Sequence, residues 1–164
     1  PPLAGAARVI WARSFNHIGP GQGPSAPVAD WAAQVVAAER AGGGTVRAGR
    51  LDVVRDVLDV RDVAAAYLAL VLAPAASGPV NVCSGRPLAL ARLMDELCAA
   101  ARVALDVEQA PELIRATDPP FVVGDPGRLA ELTGWRPAIS LAQSIRDVLD
   151  ERRRCPDPAA TATI

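Results

Sequence analysis

A chain of 164 residues, 51% hydrophobic and 21% charged, has room for one folded domain and is too apolar to be a disordered tail. Its net charge of −1 and pI of about 5.8 leave no basic excess to draw it onto nucleic-acid phosphates or anionic lipid. At this length about two-thirds of the unfolded surface can be buried, so folding requires neither a disulfide nor a metal.

Arg8 to Ser14 is apolar and rich in β-formers, which predicts a strand running into a Gly/Pro loop from Gly19 to Pro27. Val28, Trp31, Ala32, Val35 and Val36 then recur at helical spacing and predict one buried stripe, ended by Gly42-Gly43-Gly44. Thr45 to Gly49 reads as a short strand and Val53 to Val60 as one continuous strand. Asp59 is placed to cap the next helix, with Asp62 completing a capping box. Val63, Tyr67, Leu70 and Val71 are the expected buried stripe of that helix. Pro74 to Gly78 predicts a turn and Pro79 to Cys83 a strand. Ala89 to Ala101 predicts a helix with Leu90, Leu93, Met94, Leu97 and Cys98 on one face, followed by a strand at Ala104 to Gln109. Pro111 to Val123 reads as irregular. Asp125-Pro126 opens a helix that Gly134 closes, and Ser140 with Gln143 caps the last one, through Leu141, Ile145, Val148 and Leu149. Residues 155–164 are rich in proline and alanine and are expected to form a flexible tail beyond a single unit of residues 1–154. Strands alternating with helices predict an α/β architecture.

Several chemistries find no support in the residues. There is no G-x-G-x-x-G, Walker loop, G-x-S-x-G elbow or zinc-ligand spacing. His17 is the only histidine, which removes most metal and triad chemistry. Cys83, Cys98 and Cys155 have no C-x-x-C spacing and fit reduced thiols in a cytoplasmic protein. No apolar run reaches the ~18 residues of a membrane span. No catalytic or metal-ligating residue is assigned.

The remaining candidates cluster at the ends of predicted strands, where α/β folds bind ligands. Asn16 and His17 offer an amide and a ring donor, although Asn16 also suits a turn in which it bonds its own backbone. Arg55 could fork onto phosphate or pair locally with Asp56 or Asp59. Arg115 stands on a predicted loop and is either a ligand-facing or a solvated arginine. Cys83 and Ser84 have no accompanying base, so small core residues explain them better than a nucleophile.

RSFNHIGPGQ, RDVLDVRDVAAAYLALV, GPVNVCSG and TGWRP, in this order, closely resemble the extended short-chain dehydrogenase/reductase family, the NAD(P)-dependent epimerase/dehydratase group. The likeness is nearest to its GDP-mannose 4,6-dehydratase and GDP-4-dehydro-6-deoxymannose reductase branch and runs from Arg8 to about Arg153. It implies the C-terminal part of a Rossmann-like fold with the small α/β substrate-binding domain. It also implies a nucleotide-sugar substrate, NAD or NADP as cofactor of the parent enzyme, and a parent that is a homo-oligomer. Residue by residue, Asn16, Val28, Arg55 and Arg115 match substrate-binding positions and His17 a cofactor-side position. Ala116 departs from the proline usual after Arg115, and Gly21-Gln22 stand where dehydratases carry Arg-Arg, which favours a reductase or epimerase.

The chain has one tyrosine, Tyr67, and no lysine, so the family's Tyr-x-x-x-Lys pair is absent along with its Gly-rich loop. With Pro1-Pro2 at its start, the sequence reads as a piece of a longer chain, expected to be inactive alone. The alternatives are a C4 epimerase or dTDP-sugar dehydratase relative, or a non-catalytic fragment that binds nucleotide sugar and exposes the unpaired edge and apolar surface of half a sheet.

Overall fold

The computed structural model describes residues 8–23, 26–114 and 117–155. In chain order the elements are β1 (Ile10–Ser14), β2 (Asn16–Ile18), α1 (Pro27–Ala41), β3 (Gly44–Ala48), β4 (Val54–Arg55), β5 (Val57–Asp59) and α2 (Val60–Leu72). There follow β6 (Gly78–Val82), β7 (Leu88–Ala89), α3 (Leu90–Ala99), β8 (Leu105–Gln109), β9 (Phe121–Val122), α4 (Gly127–Thr133) and α5 (Leu141–Arg154), with a 3-10 turn at Pro111–Leu113. Three parallel pairs carry the α/β character: β1 with β6, β2 with β5 and β3 with β8. Parallel neighbours need a crossover, and the helices supply it. A mixed ribbon in the order β7-β4-β9 completes the sheets.

Two apolar cores form. The first joins α1, β3, α3 and α5 through Trp31, Val35, Val46, Leu93, Leu97, Ile145 and Leu149. The α1 stripe is buried as its spacing predicts, and Gly42 ends the helix in the left-handed region at φ 83°. Glu39 on α1 takes a two-pronged hydrogen bond from Arg153 on α5 at 2.9 and 2.6 Å. That fork holds the Glu39 carboxyl below the ordinary glutamate range against its partial burial. The second core lies between β6, α2 and α4, built by Val63, Ala66, Leu70, Val80, Val82 and Leu129.

The structure corrects several local expectations. Tyr67 and Val71 are not in the α2 stripe: they are 42% and 65% exposed, and Ala66 is the residue that packs beside Val63 and Leu70. The helix is apolar almost all round, so spacing alone does not select its inner face. Asp59 caps α2 by accepting from Arg61 N at 2.8 Å, but Asp62 is no capping-box partner. It is buried and accepts from the backbone N–H groups of Ala138 and Ile139, which ties the TGWRP loop to α2. Asp125 lies one residue before the N-cap yet still accepts from Gly127 N at 2.8 Å. The stretch read as irregular contains the short strand β9. Of the predicted tail, residues 156–164 lie outside the described residues.

The largest difference is at Asp56. The continuous strand expected over Val53 to Val60 is broken there into β4 and β5, which join different sheets. Asp56 is fully buried and its carboxylate accepts from Ser84 N and Ser84 Oγ at 2.7 Å, Gly85 N at 2.8 Å and Gly124 N at 3.3 Å. A buried carboxylate needs such donors, and turning the chain to meet them costs the strand its continuity. Gly124 is there because nothing larger fits: a Cβ would lie 2.6 Å from Cys83 Sγ and 2.7 Å from the Phe15 ring.

Candidate functional site

β2 and β5 run side by side, with Asn16 opposite Val57 and Ile18 opposite Asp59. Their ends, the start of α1 and the segment after β3 enclose a cleft of ≈ 480 Å³. Asn16, His17, Val28 and Arg55 all line it. Four of the five sequence-selected residues, 39 positions apart at the extremes, therefore share one cavity. Arg115, with Ala116, lies outside the described residues.

Asn16 sits in a strand, not a turn, and its carboxamide makes no side-chain hydrogen bond among the described residues. The self-bonded turn is thus not what forms. The His17 ring approaches the Phe15 carbonyl through Nδ1 at 3.1 Å. A carbonyl only accepts, so Nδ1 carries the proton, and in the neutral ring Nε2 is left as an acceptor. Arg55 donates from Nη1 to the backbone oxygens of Val54 at 2.9 Å and Pro119 at 2.8 Å. No ion pair to Asp56 or Asp59 forms. Asp56 is occupied by the N–H cradle, and Asp59 by Arg61 and by Ser144 Oγ at 2.6 Å. Burial raises the Asp59 carboxyl, but the Arg61 fork and the Ser144 hydroxyl outweigh it and hold the group below the usual aspartate range. Among the described residues the Arg55 guanidinium has only carbonyl partners. Its charge is fixed in place without a counter-charge, which suits an anionic ligand.

The cleft has members that the sequence reading did not select: Arg50, Trp31, Asp30 and Gln22. Arg50 follows β3 directly, and its place beyond a strand's carboxyl end was the available signal. It forks onto Asp52 at 3.0 and 2.9 Å. The loop after β2 is set by backbone demands. A Cβ on Gly19 would lie 2.6 Å from Val60 Cγ1. Gly21 N donates to both carboxylate oxygens of Glu151 on α5, at 2.9 and 2.8 Å, and Arg152 donates to the Gln22 carbonyl at 3.0 Å.

Cys83 is fully buried, and burial pushes its thiol up to about 11, so it is protonated near neutral pH and shielded from any substrate. Among the described residues no group of histidine, cysteine and carboxylate side chains is arranged to hold a metal ion. No helix of the described residues is long and apolar enough to cross a membrane.

Comparison with known proteins shows the family and the fold. The sequence model of the GDP-mannose 4,6 dehydratase family matches residues 5–148. The chain belongs to that family. It is 39% identical over 145 residues to GDP-6-deoxy-D-mannose reductase of Pseudomonas aeruginosa, covering 88% of this chain and 48% of the relative. The structure of RMD from Pseudomonas aeruginosa complexed with NADPH superposes with a TM-score of 0.79 at 38% identity, over 90% of this chain and 49% of that one. A UDP-glucose 4-epimerase from Thermus thermophilus in complex with NAD superposes at 0.74 with 29% identity, over 89% of this chain and 47% of that one. The fold is the Rossmann-like one of the epimerase/dehydratase enzymes, and the chain spans about half the length of the curated relatives it matches.

The relatives hold NADPH or NAD. The chain contains no lysine, no Tyr-x-x-x-Lys and no G-x-G-x-x-G, and only His17 is a candidate for the dinucleotide's edge. These residues alone do not make a dinucleotide site, and no chemical step is derived through the cofactor.

Proposed function

We propose that this chain is the nucleotide-sugar-binding half of an NAD(P)-dependent GDP-sugar reductase or dehydratase, with the reductase favoured. The observation that carries the reading is the convergence of Asn16, His17, Val28 and Arg55 on one cleft, with the Arg55 charge lacking a carboxylate partner among the described residues. In this reading Arg55 clamps the diphosphate and the Asn16 amide donates to a phosphate oxygen. Val28 borders the nucleotide at the start of α1, and Arg115 adds a second fork from its loop. His17 faces the part of the parent that holds NAD or NADP. The reductase is favoured because Gly21 and Gln22 replace the Arg-Arg of dehydratases, and because the 39%-identical relative is a reductase. The parent works as a homo-oligomer in the cytoplasm, a setting consistent with three free cysteines.

Calorimetric titration of the chain with GDP-mannose, UDP-glucose and dTDP-glucose tests this. Binding of GDP-mannose ahead of the other two is expected, with affinity reduced when Arg55 is replaced by alanine. Equal or absent binding of all three overturns the reading.

A further inference from the structure

The segment that leaves β2 has little of its own to hold its shape. Gly21 sits in the left-handed region at φ 85° with open space where a Cβ would lie, so its place there is one of backbone freedom. Pro20 before it has no N–H to give. What fixes the segment comes from α5, 130 positions away. Glu151 accepts the Gly21 N–H with both carboxylate oxygens, at 2.9 and 2.8 Å, and Arg152 donates to the Gln22 carbonyl at 3.0 Å. Gln22 passes the hold back to β2, since its Nε2 donates to the His17 carbonyl at 3.1 Å. His17 and Gln22 line the cleft, whereas Glu151 is not among its lining residues.

The turn of α5 that does this is itself braced. Arg153, the next residue, forks onto Glu39 of α1 and donates to the Ala100 carbonyl at the end of α3, at 3.2 Å. The anchor of the segment is therefore tied to the closed core and does not fray with the helix end. A hydrogen bond to an ionised carboxylate is stronger than one to a neutral acceptor, so Glu151 is the strongest hold that Gly21 could be given. Its charge works the other way. A carboxylate near an anion site lowers affinity for an anionic ligand, so a benefit to binding has to come from placement. We infer that Glu151 is a positioning residue of the cleft: by fixing the Gly21 N–H it keeps Gln22 and the end of β2 where the ligand meets them. The last turn of α5 thereby sets the affinity of a site that Glu151 does not touch. This rests on the reading of the cleft as a nucleotide-sugar site.

The test is calorimetric titration of GDP-mannose into the native chain, Glu151→Ala, Glu151→Gln and Glu39→Gln, each paired with a thermal melt. The expected result is an affinity about threefold to tenfold lower in Glu151→Ala, measured well below its melting temperature. Glu151→Gln should bind within about twofold of native, because its amide oxygen still accepts the Gly21 N–H. Glu39→Gln, which loosens the same helix away from the segment, should also keep its affinity. A Glu151→Ala chain that melts lower yet binds as tightly as native overturns the inference and leaves the nucleotide-sugar reading intact. Tighter binding does the same, being the result of lost charge alone, and so does an equal loss in Glu39→Gln, which would be general softening. A native chain that binds no GDP-mannose overturns both readings. Should Glu151→Ala not fold, hydrogen exchange in the native chain decides. Coupling is reciprocal, so saturating GDP-mannose should slow exchange of the Gly21 amide, and an unchanged rate overturns the inference.

Discussion

The core of α1, β3, α3 and α5 is closed on itself, whereas the core beneath β1 and β6 is covered on one side only. Around the first, helices and an interhelical Arg153–Glu39 fork shield the apolar residues from water. Around the second, Trp11 is 66% exposed, Leu72 69%, and Val9, Leu68 and Val71 are exposed beside them. β1 pairs with β6 and, among the described residues, with no other strand. A Rossmann-like sheet is buried by helices on both faces, so one open edge and one bare face are what half of such a sheet looks like. The difference teaches that exposure of large apolar groups is densest on β1 and α2, with Val107, Leu113, Ile114 and Phe121 exposed elsewhere. The dense patch marks where a partner layer fits rather than poor packing in general.

Breaking the link between the two regions should have the largest effect. Asp56 gathers N–H groups from the end of β6 and from the segment after β9, so Asp56→Ala orphans three of them at about 1–3 kcal/mol each. Urea denaturation should show the chain close to unfolded; a loss under about 1 kcal/mol would mean water replaces the carboxylate without cost. Next comes a contrast within α2. Leu70 is 1% exposed, and Leu70→Ala should cost about 2–5 kcal/mol. Leu72→Ser, two residues on, should stay within about 0.5 kcal/mol while reducing self-association in sedimentation. Equal costs at the two positions would erase the distinction between the inner and bare faces.

Arg55→Ala should weaken GDP-mannose binding by about 1–3 kcal/mol with little change in melting temperature, since its folded-state partners are carbonyls that water can serve. The smallest effect concerns pH and the closed core. Glu39 has a depressed folded-state pKa, so its contribution is present above the ordinary glutamate value and is lost as pH falls through the depressed one. The stability gap between the native chain and Glu39→Gln, followed by thermal melts, should therefore narrow on acidification. A gap that widens would give the pair the wrong sign.

Much of this was legible in the residues because its causes are local. The α1 stripe, the Gly42 stop, the Ser140 cap on Gln143 N and the Asp59 cap need only neighbours within a turn. Asn16, Val28 and Arg55 could be chosen from motif likeness and from their places at element ends. The break at Asp56 could not be read, because its donors lie 28 to 68 positions away and VVRDVLDV alternates acceptably as one strand. Tyr67 and Val71 were misplaced because α2 offers two apolar faces, and only the packing of β6 and α4 decides between them. Arg50 and Gln22 were not selected as cleft-lining residues because that placement depends on which loops fold over the cleft.

The three tryptophans fall one to each environment. Trp31 is buried in the wall of the cleft, Trp11 stands on the bare face of β1, and Trp135 is partly buried against the second core. The protein thus carries its own optical labels. Occupancy of the cleft should change the intensity of Trp31 emission, while covering of the β1 face should move Trp11 emission to shorter wavelength. Single Trp→Phe replacements separate the two signals, so ligand uptake and the joining of the sheet can be timed independently in one stopped-flow trace.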